Sequence, residues 1–113
     1  FTYVSDTCDA FLEVSKKEDF NGKVINVGNN TEISINDLLK KIMELTNVDK
    51  EIQIENLRER PLKSEVDRLI CDNKNILNNS NWKPKFTLEE GLLSTIKWLK
   101  NINDFSKSNL YNI

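Results

Sequence analysis

Hydrophobic positions along this chain recur at helical spacing in some stretches and at near-alternate spacing in others, and the switches divide it into elements. The run Phe1-Thr2-Tyr3-Val4 reads as strand-like. From Asp6, whose carboxylate suits a helix cap, Ala10, Phe11 and Val14 fall on one face before the polar stretch Ser15 to Asp19, which predicts a short amphipathic helix. Asn21-Gly22 forms a turn, and Lys23-Val24-Ile25-Asn26-Val27 reads as a mostly buried strand that stops at Gly28-Asn29-Asn30.

Ser34 stands ahead of Ile35-Asn36-Asp37 in a capping arrangement, and Leu38, Ile42 and Leu45 recur at helical spacing, predicting a helix from about Ile35 to Leu45 with an exit at Asn47. Glu51-Ile52-Gln53-Ile54 alternates as a half-buried or edge strand does. Asp72 can cap a short helix through Ile76 and Leu77, after which Trp82 and Pro84 anchor the connection. Thr87-Leu88-Glu89-Glu90 is a capping box, and Leu88, Leu92, Thr95, Ile96 and Leu99 form the inward stripe of the helix it opens. Beyond Asn101 little is left to bury, so residues 102–113 are expected to be a flexible tail after a domain spanning 1–101. The expected architecture is a small α/β (α+β-like) domain of about four helices and a few short strands, its sheet covered on one side.

A chain of 113 residues has room for one domain and one core. Lysine and arginine number 16 against 18 acids, with the signs mixed along the chain, so no broad basic face for nucleic acid is expected. Cys8 and Cys71 lie far apart in apolar surroundings without metal-type spacing and read as small buried thiols in a reducing, cytoplasmic setting. No apolar run approaches the roughly 20 residues that cross a bilayer. Histidine is absent, which excludes histidine acid–base chemistry and histidine metal ligation in this chain.

The candidate chemistry is sparse. Gly22, Gly28 and Gly91 cannot supply the glycine-rich turn that opens a helix against a dinucleotide pyrophosphate. Tyr3 has Thr7, not lysine, four residues on, so the pair in which an ammonium lowers a phenol's pKa is missing. Glu89 and Glu90 sit in a first helical turn, where negative charge favours the dipole, and Asp37 and Glu44 read as cap and solvated face. No catalytic residue and no metal ligand is assigned.

The one dense polar cluster is Arg58-Glu59-Arg60-Pro61-Leu62-Lys63-Ser64-Glu65-Val66-Asp67-Arg68. Its guanidinium forks could grip a diphosphate and its carboxylates the hydroxyls of a ribose; the same residues also suit ion pairs on a solvated loop. Trp82 reads as a lid on the core, its indole N–H reaching a backbone carbonyl.

The order of segments carries more than any one of them. Phe1-Thr2-Tyr3-Val4-Ser5-Asp6-Thr7 with Ala10, then Lys23-Val24-Ile25-Asn26-Val27-Gly28 ahead of Ile33-Ser34-Ile35, Arg60-Pro61 with Glu65-Val66-Asp67, Asp72, and Trp82-Lys83-Pro84 with Leu88-Glu89-Glu90-Gly91-Leu92 resemble the C-terminal substrate domain of extended short-chain dehydrogenases. These are the NAD-dependent epimerases and dehydratases of nucleotide sugars, and the pattern is most similar to the 4,6-dehydratases. The resemblance covers the chain to about Lys100. Asn81 replaces the glycine common before the tryptophan, which alters a turn more than a ligand contact.

That resemblance implies a C-terminal lobe whose Rossmann partner, holding NAD(P) and the catalytic groups, lies ahead of Phe1, so that the fragment alone carries no cofactor and no activity. It implies a nucleotide-diphosphate sugar as substrate, with Arg60 on the diphosphate, Glu65 on the ribose, and Tyr3, Val4 and the Gly28 turn shaping the cleft. It also implies a homodimeric parent, a lyase or isomerase serving polysaccharide biosynthesis, with neither nucleic acid nor membrane as a partner. The competing reading from residues alone is a non-enzymatic adaptor whose apolar stripes bind proteins.

Overall fold

The computed structural model describes residues 1–53 and 68–102. Among them the chain forms α1 (Val4–Ser15), a 3-10 turn (Glu18–Phe20), α2 (Ile35–Thr46), α3 (Lys74–Asn79) and α4 (Leu88–Asn101). Ala10 of α1, Ile76 of α3 and Trp82 make the core, with Val14, Ile25, Val27 and Leu77 packed against it. Trp82 is 2% exposed, and its indole N–H donates to the Asp6 carbonyl at 2.9 Å. A buried indole thus finds the acceptor it requires, as expected of a tryptophan closing a small core.

α1 differs from its sequence expectation at three points. It begins at Val4, inside the run expected to be strand-like, with Tyr3 at the N-cap position and no side-chain cap. Asp6 is therefore inside the helix. Its side chain is fully buried and accepts from two backbone amides across the chain, Lys85 N–H at 3.0 Å and Phe86 N–H at 3.2 Å. Two fixed donors in a buried setting offer more than a local cap in water, because leaving them unpaired would cost about 1–3 kcal/mol each. Phe11, expected inward beside Ala10, is 74% exposed, and Cys8, expected to be buried, is exposed. The helix turns Asp6 and Ala10 to the core, which rotates both residues outward.

α2 follows its local signals. Ser34 Oγ accepts from Asp37 N–H at 3.1 Å and donates to the Asp37 carboxylate at 2.7 Å. The helix ends where Asn47 takes a left-handed φ of 58°, a conformation asparagine tolerates better than most residues. Asp72 accepts from Lys74 N–H at 3.1 Å to start α3. At the end of α3 the Ser80 hydroxyl donates to Ile76 O at 2.6 Å and accepts from Trp82 N–H at 3.1 Å, aiming the tryptophan back at the core. Thr87 and Glu90 form the expected reciprocal capping box of α4. On that helix Leu88, Leu92 and Ile96 are half-buried, whereas Thr95 and Leu99 of the expected stripe are exposed.

Lys23–Val27, expected to be a mostly buried strand, is exposed at Lys23, Val24 (91%) and Asn26, and alternates only from Val24 on, Ile25 and Val27 being half-buried against the core. It has the side-chain pattern of a strand but no ladder partner among the described residues. Glu51–Gln53 likewise carries no strand pairing, and Ile54 lies outside the described residues. So do residues 103–113, on which the expected tail falls.

Candidate functional site

Two adjoining cavities lie between the amino-terminal residues, the loop after Gly28 and the start of α4. The larger, about 510 Å³, has Asn29, Thr31 and Glu32 on one side and Lys85, Phe86 and Thr87 on the other. The smaller, about 300 Å³, runs between α2 and α4 and is lined by Tyr3, Asn29, Leu38, Ile42, Leu88 and Leu92. Both volumes fall in the range of small-ligand sites.

The walls are built by close approaches. Gly91 lies under Tyr3, where an added Cβ would come within 3.3 Å of the tyrosine Cβ. Tyr3 in turn leans on Phe86, their ring centroids 4.5 Å apart and the planes tilted by 48°. Phe86 is held by the Asp6 bond to its amide and by Asn29 Nδ2, which donates to its carbonyl at 3.4 Å. Gly28 is buried against Cys71, and a Cβ there would sit 2.8 Å from Cys71 Cβ. Asn73, 2% exposed, donates to Gly28 O at 2.6 Å. The Gly28 loop is thus clamped from the side of α3, and its next residue, Asn29, lines both cavities.

Two polar atoms buried here, Asn29 Oδ1 and Asn73 Oδ1, have no hydrogen-bond partner among the described residues. At the rim, Arg68 forks onto Glu32, Nε to Oε2 at 3.0 Å and Nη2 to Oε1 at 2.5 Å. The guanidinium's hydrogen bond and charge hold the Glu32 carboxyl below the usual carboxylate range, and Glu32 pushes Arg68 further up. On the opposite wall Asp9 raises Lys85, first through a hydrogen bond and then through its charge. The arrangement can hold and orient a ligand by aromatic, amide and hydroxyl groups, but it places no acid–base pair there. Glu32 is engaged by Arg68, and Glu90 by Thr87.

Of the residues singled out from sequence, Tyr3 lines the smaller cavity, whereas Val4 is exposed and lines neither. Arg60 and Glu65 lie outside the described residues. Asn29, Thr31, Glu32 and Phe86 were not singled out. Their only advance signal is the Gly28-Asn29-Asn30 sequence that stops the strand-like run before it. Among the described residues no group of three histidine, cysteine, aspartate or glutamate side chains could hold a metal ion. The described residues do not fit a dinucleotide either. Gly22 is in a turn, Gly28 is packed on Cys71 and Gly91 is within α4, so none opens a helix toward a pyrophosphate.

A family model described as GDP-mannose 4,6 dehydratase matches residues 1–95. This chain belongs to that family. Within the GDP-mannose 4,6-dehydratase family its relatives include the dTDP-D-glucose 4,6-dehydratase of Mus musculus, 30% identical over 121 aligned positions that cover 96% of this chain and 31% of the relative. A trifunctional UDP-glucose 4,6-dehydratase/3,5-epimerase/reductase of Arabidopsis thaliana is 34% identical, covering 87% of the chain and 14% of the relative. A UDP-N-acetyl-alpha-D-glucosaminuronate decarboxylase of Bacillus cytotoxicus is 29% identical, covering 92% and 33%. The chain spans about a third or less of the length of the curated relatives it matches. No solved structure matches it significantly.

Proposed function

We propose that this chain is the substrate-binding part of an NAD(P)-dependent enzyme that acts on nucleotide sugars, a 4,6-dehydratase in preference to an epimerase, whose redox chemistry belongs to a dinucleotide-binding domain outside these residues. The observation that carries the reading is the family match over residues 1–95, since the relatives named as dehydratases and the decarboxylase all take nucleotide-linked sugars by name. The cavities supply a site of suitable size, with Asn29, Thr31 and Thr87 as hydrogen-bonding groups and Tyr3 and Phe86 as an aromatic wall. In this reading Arg60 binds the diphosphate, Glu65 the ribose hydroxyls, and Tyr3 borders the sugar cleft. The domain is α/β, which the alternation at Val24–Val27 supports. The parent works as a homodimer in a reducing, cytoplasmic setting; the two free cysteines support the reducing setting. No helix among the described residues is long and apolar enough to cross a membrane.

The test uses the complete reading frame that contains this segment. With dTDP-glucose, UDP-glucose and GDP-mannose, mass spectrometry should detect loss of water from one of the three, and Arg60→Ala should weaken binding of that sugar nucleotide by about tenfold or more, the scale of a lost charge-assisted bidentate contact. Conversion of none of them, with unaltered binding by the variant, would overturn the reading. The 113-residue chain alone is expected to bind no NAD and turn over no substrate.

A further inference from the structure

Asn21 is the one asparagine in this chain that is followed by glycine, and the fold holds the pair on the surface. Asn21 and Gly22 are the two central residues of a tight turn between the 3-10 turn and Lys23–Val27, closed by Lys23 N–H donating to Phe20 O at 3.0 Å. Asn21 has φ -58° and ψ 127°, and Gly22 has a left-handed φ of 70°. These are the angles of a type II turn, whose third residue favours glycine. Both residues are exposed, and nothing lies within 4 Å of where a Cβ on Gly22 would stand. Among the described residues the Gly22 N–H donates to no backbone carbonyl. A labile carboxamide is thus followed by an unengaged main-chain nitrogen.

We infer that Asn21 is a site of spontaneous deamidation, a covalent modification in which water is the co-reactant. The Gly22 nitrogen gives its proton to solvent and attacks Asn21 Cγ. The N–Cγ bond forms, the Cγ–Nδ2 bond breaks, and the carboxamide nitrogen leaves as ammonia. The five-membered succinimide then takes up one water. Opening at Cγ gives aspartate, and opening at the main-chain carbonyl carbon gives isoaspartate, in which the backbone runs through Cβ and Cγ. Ring closure requires Asn21 ψ to rotate out of its extended 127° until the Gly22 nitrogen meets Cγ. Glycine at the next position and open space around it permit that rotation once the Lys23–Phe20 bond opens.

The same chemistry is closed at Asn79, which also precedes a small residue. Its Nδ2 donates to Asn75 O at 3.0 Å and to Asn75 Oδ1 at 2.9 Å, and the Ser80 N–H that would attack is committed to Ile76 O at 3.0 Å. The two products at Asn21 differ in consequence. Aspartate adds a negative charge and keeps the turn. Isoaspartate adds a methylene to the main chain between Phe20 and Lys23, so the bond that closes the turn is lost beside Phe20, a ring only 5% exposed.

The test uses the complete polypeptide that carries these residues, incubated folded in mildly alkaline buffer and, in parallel, in denaturant. In the folded sample, mass spectrometry should find the peptide containing Asn21 heavier by water minus ammonia, and an isoaspartyl carboxyl methyltransferase should label it. The peptide containing Asn79 should be unchanged. Asn21→Gln should lose the product, because its longer side chain would need a six-membered ring. Asn21→Asp should keep the wild-type Tm, whereas the isoaspartyl fraction separated by ion exchange should melt lower. Product in denaturant but none in the folded sample would mean that the turn locks ψ, and would overturn the inference. Conversion of Asn79 as fast as Asn21 in the folded sample would overturn it as well, since the fold would then select neither site. An isoaspartyl fraction with the wild-type Tm would refute the loss of the turn.

Discussion

The two sides of this molecule solve the same problem with different means. Around Asp6 and Trp82, α1 and the Trp82–Phe86 connection are tied by hydrogen bonds between residues 76 to 80 positions apart, α3 joins them through Ile76, and Ile76 and Trp82 are almost wholly removed from water. In α2 and α4 the caps are local, the two helices share one ion pair among the described residues, Lys41 to Glu89 at 2.8 Å, and α2 buries no residue completely. The first side is a closed core. The second leaves its apolar residues around a cavity, where a ligand or further polypeptide has room to complete the packing. Long-range satisfaction of polar groups goes here with a closed core, and local satisfaction with space.

That contrast is sharpest at Trp82. Trp82→Ala should destabilise the chain by about 4 kcal/mol, the scale of an aromatic removed from a core, as measured by denaturant unfolding. Asp6→Ala should follow at about 3 kcal/mol, because the amides of Lys85 and Phe86 lose their acceptor together. A value under about 1 kcal/mol for either would mean that this side is no more closed than the other. Gly28→Ala drives a methyl into Cys71 and should cost about 1–3 kcal/mol, the range for overpacking, with much of the loss restored by adding Cys71→Gly.

On the α2–α4 side the effects are smaller. Thr87→Ala removes the cap of α4 and should cost about 1 kcal/mol. The Thr87 amide, and then its hydroxyl, hold the Glu90 carboxyl below the ordinary glutamate range. A carboxyl depressed in the folded state adds stability above its unfolded value and loses it as pH falls through the folded one. The Tm gap between wild type and Thr87→Ala should therefore narrow on acidification below the glutamate range. Lys41→Ala should give the smallest change, a Tm shift that shrinks in high salt, since Glu89 is exposed and Lys41 is only half-buried. Glu89 raises Lys41 above the ordinary lysine range, so whatever the pair contributes is present below that range and lost as pH rises through the raised value.

How far the sequence could be read follows the same division. Ser34 with Asp37, Asn47, Asp72 and Thr87 with Glu90 act on residues within three or four positions, so α2, the start of α3 and the start of α4 could be placed without coordinates. Trp82 could be assigned to the core because a large indole flanked by polar residues in a small domain has few other places to go. Asp6 could not. Its cap-like position suggested a local role, but the partners that claimed it are about 80 residues away. Phe11 and Cys8 were misplaced for a related reason. In a twelve-residue helix with apolar residues on two sides, periodicity identifies both faces without saying which one the rest of the chain covers.

The candidate site divides likewise. Tyr3 could be nominated from the segment it heads, but Asn29, Thr31, Glu32 and Phe86 became site residues only when the Gly28 loop, clamped by Asn73 and packed on Cys71, met the connection held by Asp6. By itself the sequence determined α2 and its cap, the starts of α3 and α4, the family, and the lack of a glycine-rich dinucleotide turn, because each is written in residue types a few positions apart or in the order of short segments. The tertiary structure alone decided which face of α1 is inside, what Asp6 holds and where the cavities lie. Those outcomes depend on which distant amides and side chains arrive at one place, and a buried polar group takes the partners it meets there in preference to its neighbours in the chain.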